Sequence, residues 1–141
     1  MKKLSLVVAA LVLGVVTAPA TAHAPHVGPK KGQTIHWGTH HFELVPGADA
    51  ARLYIYAASN RQPVPVAGFT AKARILSGGK MTNLAFAPAG ANVLAGKGAK
   101  LTGDWTALVS VAVPGRGTAT IRYSAKDLAT LRKATGHGHA G

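Results

Sequence analysis

The seven histidines of this sequence occupy only two short parts of the chain. Five of them lie between His23 and His41, and the other two, His137 and His139, lie in the last five residues. Imidazole is the side chain that most often binds metals in proteins, and it suits both zinc and copper. The clustering therefore points to transition-metal binding as the chemistry for which this chain is best equipped.

A predicted β-hairpin brings two of these histidines together. Gly38 and Thr39 separate two runs of alternating residues, as in a two-residue type II′ turn with glycine first. In that register His36 faces His41, and directly opposed residues place their Cβ atoms about 4.5–5.5 Å apart. We therefore expect His36 and His41 to hold one copper or zinc ion, with Glu43 close enough to add an oxygen ligand. A register shift of one residue would separate these side chains.

The same register divides the hairpin into two sides. The core side is expected to carry Ile35, Trp37, Phe42 and Leu44, with His40 at its rim. The outer side is expected to carry Thr34, His36, His41 and Glu43. The alternative interpretation of the outer side is a polar strand face that binds no ligand.

The first 22 residues have the pattern of a secretory signal peptide. Lys2 and Lys3 precede an uncharged apolar run from Leu4 to Val16, and Ala20-Thr21-Ala22 fits the small-residue cleavage pattern. The apolar run is shorter than the roughly 20 residues that span a bilayer. An uncleaved N-terminal anchor is the alternative. We expect a periplasmic or secreted protein that has no membrane span in the mature chain.

Cleavage after Ala22 would make His23 the first residue of the mature protein. Its free amine and ring nitrogen could then chelate Cu(II) together, and His26 follows three residues later. Pro25 occupies the position at which a tight amino-terminal copper motif needs histidine, so that motif is broken. His23 and His26 are therefore additional candidate ligands. The alternative is a disordered arm whose histidines have no role.

Composition restricts the other classes of function. The sequence has no cysteine, which excludes thiolate metal sites and disulfide scaffolds. It has 16 Lys and Arg against 4 Asp and Glu, a net charge of +12, or +10 without Lys2 and Lys3. These basic residues form no dense run interleaved with aromatics, so we expect no nucleic-acid partner. A weak attraction to anionic envelope surfaces is expected instead.

The sequence carries no recognisable catalytic motif. It has no Gly-x-Ser-x-Gly, no phosphate-binding loop and no His-Glu-x-x-His. We therefore expect no enzyme activity. A copper enzyme that uses His23 in a histidine brace is a weaker alternative, because it needs a second ordered histidine nearby.

Period-two alternation dominates the chain after residue 32. It predicts eight short strands: Gln33 to Trp37, His40 to Val45, Arg52 to Ala57, Phe69 to Leu76, Met81 to Ala87, Asn92 to Ala95, Thr106 to Val113 and Thr118 to Tyr123. About seven to eight short strands separated by frequent turns predict an all-β fold, an immunoglobulin-like antiparallel β-sandwich. Ser124 is positioned to cap a short C-terminal helix through Leu131. A small barrel is the alternative.

These predictions give a four-part organisation of the chain. Residues 1–22 form the signal peptide and residues 23–32 form a flexible His/Pro/Gly arm. Residues 33–124 form the β-sandwich domain. Residues 125–141 form the short helix and a flexible His-Gly-His tail.

The hairpin and the turn positions also resemble a known family. The stretches concerned are Lys31-Gly32-Gln33, Gly38 to Val45, Arg61-Gln62-Pro63-Val64, Ala67-Gly68 and Leu84 to Asn92. In these stretches the chain resembles small secreted β domains associated with periplasmic adaptors of heavy-metal efflux systems in Gram-negative bacteria. The resemblance implies a role in metal homeostasis, with a metal-efflux component of the envelope as partner. The metal-independent alternative is an interaction or structural domain of the envelope that uses its basic surface or a sheet edge.

Overall fold

The computed structural model describes residues 25–98 and 101–136 of the 141-residue chain. Within that part the chain forms ten strands and one helix. In chain order these are β1 (His26–Val27), β2 (Gln33–Trp37), β3 (His40–Val45), β4 (Ala50–Ala57), β5 (Thr70–Ser77), β6 (Lys80–Ala85), β7 (Ala87–Pro88), β8 (Val93–Lys97), β9 (Trp105–Val113), β10 (Gly117–Ser124) and α1 (Ala125–Gly136).

The strands form two sheets in which every pairing is antiparallel. One sheet has six strands in the order β1-β2-β3-β4-β8-β7, and the other has four in the order β10-β9-β5-β6. Apolar side chains from both sheets share one buried cluster between them. The predicted all-β sandwich with a short C-terminal helix is therefore confirmed.

The core follows from the alternation that the sequence displays. In β9 the buried residues are Trp105, Ala107, Val109, Val111 and Val113, and the intervening residues face outward. The inner face of β3 and β4 contributes Phe42, Leu44, Leu53 and Ile55. Burial of this set stabilises the fold at about 25 cal/mol per Å² of apolar surface removed from water.

A buried tyrosine connects the two sheets at the histidine-bearing hairpin. The side chain of Tyr123 in β10 is fully buried, and its hydroxyl donates a 2.8 Å hydrogen bond to the carbonyl of Phe42 in β3. Burial raises the pKa of Tyr123 well above its ordinary value, so the hydroxyl keeps the proton that it donates. This bond fixes the position of β3 relative to the facing sheet.

The predicted strands agree closely with the observed ones. β2 and β3 coincide with the predicted bounds, and the other predicted strands begin and end within two residues of those observed. The two strands that the sequence did not predict, β1 and β7, have only two residues each. β7 includes Pro88, which is compatible with its place at the edge of the sheet.

The arm differs from the expectation of a flexible, extended segment. His26 and Val27 pair with Thr34 and Gln33 and so add β1 to the edge of the six-stranded sheet. Residues 28–32 then make a tight turn in which the Gly28 N–H donates to the Gly32 carbonyl at 2.9 Å. The described part of the arm is therefore folded against the domain.

The C-terminal helix begins as predicted and continues further. The Ser124 hydroxyl accepts a 3.1 Å hydrogen bond from the backbone N–H of Asp127, an N-cap interaction. The helix runs on to Gly136, five residues beyond the predicted end at Leu131.

The expected signal peptide, His23 and the His-Gly-His tail lie outside the described residues. Among the residues that are described, no helix is long and apolar enough to cross a membrane.

Candidate metal centre

The predicted hairpin register is confirmed. His36 pairs with His41, Ile35 with Phe42, and Trp37 with His40. Gly38 has a φ of +58°, and Thr39 is not among the residues with positive φ. A type I′ turn needs positive φ at both central residues, so this pattern fits the predicted type II′ turn. The turn thus places His36 and His41 on the same outer face of the six-stranded sheet.

The folded arm brings a third histidine to this face. His26 in β1 pairs with Thr34 in β2, and Thr34 shares the outer face with His36. The His26 ring centroid lies 5.4 Å from that of His41, and the His36 ring centroid lies 5.1 Å from it. His41 therefore lies between two other imidazoles, which we call the histidine cluster (His26, His36 and His41).

The cluster combines half-buried and buried rings. His26 and His36 are half-buried, whereas His41 is only 8% exposed. The rings meet edge to face, with interplanar angles of 63° for His26–His41 and 70° for His36–His41. Two imidazoles that share a tetrahedral ion have centroids about 5 Å apart, because each metal–nitrogen bond is about 2.0–2.1 Å long. The centroid spacings match that requirement.

The spacing of the rings does not by itself make a complete metal site. Within residues 25–98 and 101–136, no group of three or more His, Asp or Glu side chains is arranged to hold a metal ion. The structure therefore provides the spacing between neighbouring rings but not a completed set of ligands.

Glu43, the predicted oxygen ligand, lies beneath the arm and is hydrogen-bonded to it. Its side chain is completely buried. Oε2 accepts hydrogen bonds from the backbone N–H groups of Lys30 and Gly32 at 2.9 and 2.8 Å, and Oε1 accepts one from the Tyr56 hydroxyl at 3.1 Å. Three of its acceptor sites are therefore engaged inside the protein. This geometry assigns Glu43 to holding the arm in place.

Burial dominates the electrostatics of this carboxylate. It raises the pKa of Glu43, and the hydrogen bonds from Gly32, Tyr56 and Lys30 oppose that rise only in part. The pKa of Tyr56 is raised too, by its own burial and by the charge of Glu43. Tyr56 therefore stays protonated and remains a hydrogen-bond donor to Glu43.

Glycines let the arm approach Glu43 closely. A Cβ on Gly28 would lie 2.3 Å from Oγ1 of Thr34 and 2.4 Å from Cδ of Glu43, and one on Gly32 would lie 2.4 Å from the carbonyl oxygen of Leu44. All three distances are below any normal contact of a side chain. The close packing of the arm on the sheet thus depends on glycine at both positions.

The helix holds the same turn from the other side. Nε and Nη2 of Arg132 in α1 donate to the Lys31 carbonyl at 3.3 and 2.8 Å. Lys31 itself has a φ of +64°, an unusual conformation for a residue with a side chain. The arm is therefore fixed by Glu43 beneath it and by Arg132 beside it.

A cleft of about 430 Å³ opens beside the cluster. It is lined by His26, Val27, Gly28, Pro29, Thr34, His41, Tyr56 and Arg61. The Thr34 hydroxyl at its wall is buried and has no hydrogen-bond partner among the described residues. The cleft gives solvent access to two rings of the histidine cluster.

His40 lies on the opposite side of the hairpin, as predicted. Its ring contacts Phe42 and Phe69, with centroid distances of 5.9 and 5.5 Å. Burial, and to a smaller extent the charge of Arg116, lowers the pKa of His40 below its ordinary value of 6.5. His40 is therefore a packing residue at the rim of the core and does not belong to the histidine cluster.

Two features of this site were not apparent in the sequence. The alternation of residues in β4 does not reveal that the Tyr56 hydroxyl donates a hydrogen bond to Glu43. The pairing of His26 with Thr34 was also missed, because two residues are too few for a periodic pattern. A useful signal was the lone Glu43 in an alternating strand, since a buried charge requires partners.

Comparison with known proteins provides no relative for this chain. No family model matches it, and neither the curated proteins nor the solved structures include a significant match. The resemblance to domains of heavy-metal efflux systems therefore gains no support from these comparisons.

Proposed function

We propose that this protein binds a single copper or zinc ion through His26, His36 and His41. The observation that carries the proposal is the position of His41, whose ring centroid lies 5.4 Å from His26 and 5.1 Å from His36. Three imidazoles with a fourth position left for water or another ligand are a known arrangement for zinc, and imidazole also suits copper. His26 replaces Glu43 in the ligand set expected from the sequence.

In the proposed site the side chains rearrange while the backbone stays in place. The terminal torsion of histidine is broad, so a ring can reorient when its present contacts are exchanged for the metal. The opposed strand positions and the arm already fix the three Cα atoms. His26 and His36 are half-buried, whereas His41 is buried. We expect weak to moderate affinity, because part of the binding free energy is spent on this reorganisation.

The proposed biological role is metal buffering, or delivery to an efflux component, in the periplasm. An N-terminal segment with the pattern of a signal peptide supports the location. A cysteine-free site suits an oxidising compartment, since histidine ligands do not form disulfides there. The open cleft beside the cluster supports transfer, because a partner's ligand could reach the ion through it.

Calorimetric titration of the purified protein with Cu(II) and, separately, Zn(II) tests the proposal. We expect one ion per chain and at least a tenfold loss of affinity in His36→Ala/His41→Ala. His26→Ala should lose at least tenfold as well, which distinguishes the three-histidine site from the hairpin pair. Unchanged affinity in the double variant would eliminate the site.

Matched variants separate this site from the other histidines. His40→Asn, in the same hairpin but on the other side, should keep its affinity within about threefold. His137→Asn/His139→Asn tests the tail, and His23→Ala tests the amino-terminal chelate. If the tail variant alone abolishes binding, the histidine cluster is not the metal site.

A further inference from the structure

The four-stranded sheet has an outer face that differs from the histidine-bearing one. In β5 the residues alternate between buried and exposed, and Lys72, Arg74 and Leu76 point away from the core. Their cross-strand partners also face outward. We define the basic face as the exposed set Lys72, Arg74, Leu76, Met81, Leu108 and Arg122.

The charges on this face have one sign. None of β5, β6, β9 and β10 contains an Asp or Glu residue. Arg74 and Arg122 lie on either side of Leu108 in one row across three strands, and Lys72 lies two residues before Arg74. Sequence positions that looked scattered are thus gathered by the sheet into one positive surface.

The face also carries exposed apolar groups. Leu76, Met81 and Leu108 are 46%, 55% and 42% exposed, and they are the exposed large hydrophobic residues of the part of the chain that the structure describes. Leu76 and Met81 are direct partners in the β5–β6 hairpin. Concentration of such residues on one face marks a contact surface more clearly than the same residues scattered would.

The apolar pair lies next to a small turn. Gly78 and Gly79 connect β5 to β6, and both have positive φ, at +59° and +75°. A Cβ at either position would meet nothing within 4 Å, so the turn projects into open space. Leu76 and this turn also line a cleft with Thr102 and Asp104 at that end of the face.

We propose that the basic face docks on a bilayer that contains anionic phospholipid. The cations match the phosphate groups, and each contributes favourably near an anionic surface. The leucines and the methionine match the boundary between headgroups and acyl chains, which interfacial proteins reach with their apolar side chains. A second copy of this chain is a poor occupant, because a symmetric contact would oppose positive charges to one another.

This inference does not depend on metal binding. The basic face belongs to the four-stranded sheet, whereas the histidine cluster belongs to the other sheet of the sandwich. A protein docked in this way would keep its histidine cluster facing away from the membrane. Either proposal can therefore fail while the other holds.

Vesicle co-sedimentation of the purified protein in the presence of a chelator tests the docking. One set of vesicles contains phosphatidylglycerol in phosphatidylcholine, and the other contains phosphatidylcholine alone. We expect binding to the anionic vesicles only, with at least a tenfold loss in Lys72→Glu/Arg74→Glu/Arg122→Glu. Leu76→Ser/Leu108→Ser should lose several-fold with its charge unchanged.

A charge-matched control distinguishes the face from the net charge. Arg52→Glu/Lys97→Glu/Lys133→Glu makes the same change in net charge at exposed positions on β4, β8 and α1. This variant should keep its vesicle binding within about threefold, and both triple variants should show unaltered circular dichroism.

Two results would overturn the proposal. Equal losses in the two triple variants would reduce the effect to net charge. Failure of the unaltered protein to bind anionic vesicles would exclude the membrane. In that second case, retention on immobilised polyglutamate that the face variant alone loses would assign the basic face to an acidic protein partner.

Discussion

The two outer faces of this sandwich arise from the same alternation of inward-facing and outward-facing residues. They differ in how far their outward-facing residues are exposed to solvent. On the six-stranded sheet, the arm covers part of the outer face. Glu43, which also bonds Tyr56, holds the arm there through hydrogen bonds. Thr34, His41 and Glu43 are consequently buried although they point away from the core. On the four-stranded sheet, Lys72, Arg74 and Leu108 remain exposed.

The difference shows that a segment packed over a sheet determines which contacts the outward-facing residues of that sheet can make. A buried carboxylate must find donors, and Glu43 finds them in the backbone of the arm and in Tyr56. The arm also brings the ring centroid of His26 to 5.4 Å from that of His41. No described segment packs over the basic face, so its side chains can contact only solvent or a partner.

The largest expected effect on stability tests the hydrogen bonds that hold the arm over the six-stranded sheet. Glu43→Ala removes three hydrogen bonds and leaves the N–H groups of Lys30 and Gly32 without their acceptor, so it should destabilise the protein by about 3 kcal/mol. Chemical denaturation measures this loss, and metal titration should show weaker binding as the arm loosens. Asp49→Ala, at an exposed acidic residue, is the control and should change stability by less than about 0.5 kcal/mol.

The next effect tests the close approach of the arm. Gly28→Ala places a Cβ 2.3 Å from Oγ1 of Thr34, so the arm must shift, at a cost of about 1–3 kcal/mol. Gly90→Ala is the comparison, because its Cβ meets only the end of the Val93 side chain, at 2.8 Å. Equal thermal stability of the two variants would show that the arm is not packed as described.

The pH dependence of stability should contain two contributions of opposite sign. His40 has a lowered pKa in the folded state, so its contribution is present above the ordinary value of 6.5 and is lost as the pH falls from 6.5 through the lowered pKa. Glu43 has a raised pKa, so its contribution is greatest below its ordinary value of 4.5 and decreases as the pH rises. Denaturation from pH 4 to 8 should therefore show a flatter loss on acidification in His40→Gln, and a profile that is unchanged in this variant would contradict the assignment.

The smallest expected effect on stability concerns the basic face. Leu108→Ser should change the free energy of unfolding by no more than about 0.5 kcal/mol, because Leu108 is 42% exposed. Val109→Ala, one residue later and fully buried, should cost about 1–3 kcal/mol. A large loss at Leu108 would mean that this face is covered, and the comparison between the two faces would fail.

The register of the hairpin could be predicted from the sequence because a local rule applied to it. The Gly38-Thr39 turn fixes the hairpin register through its own geometry, so the opposition of His36 and His41 was predictable. The place of His26 depends on a two-residue strand and on Glu43, eleven residues from Gly32 along the chain. No periodic pattern marks contacts of that kind.

The sequence by itself determined the strands, the turn at Gly38 and the division of each strand into inner and outer residues, because these depend on neighbours two residues apart. Only the tertiary structure decided that Glu43 holds the arm, that two other imidazoles gather around His41 and that scattered cations share one face. The physical reason is that burial and charge clustering are properties of surfaces in contact. Which surfaces meet is settled when the sheets and the arm pack together.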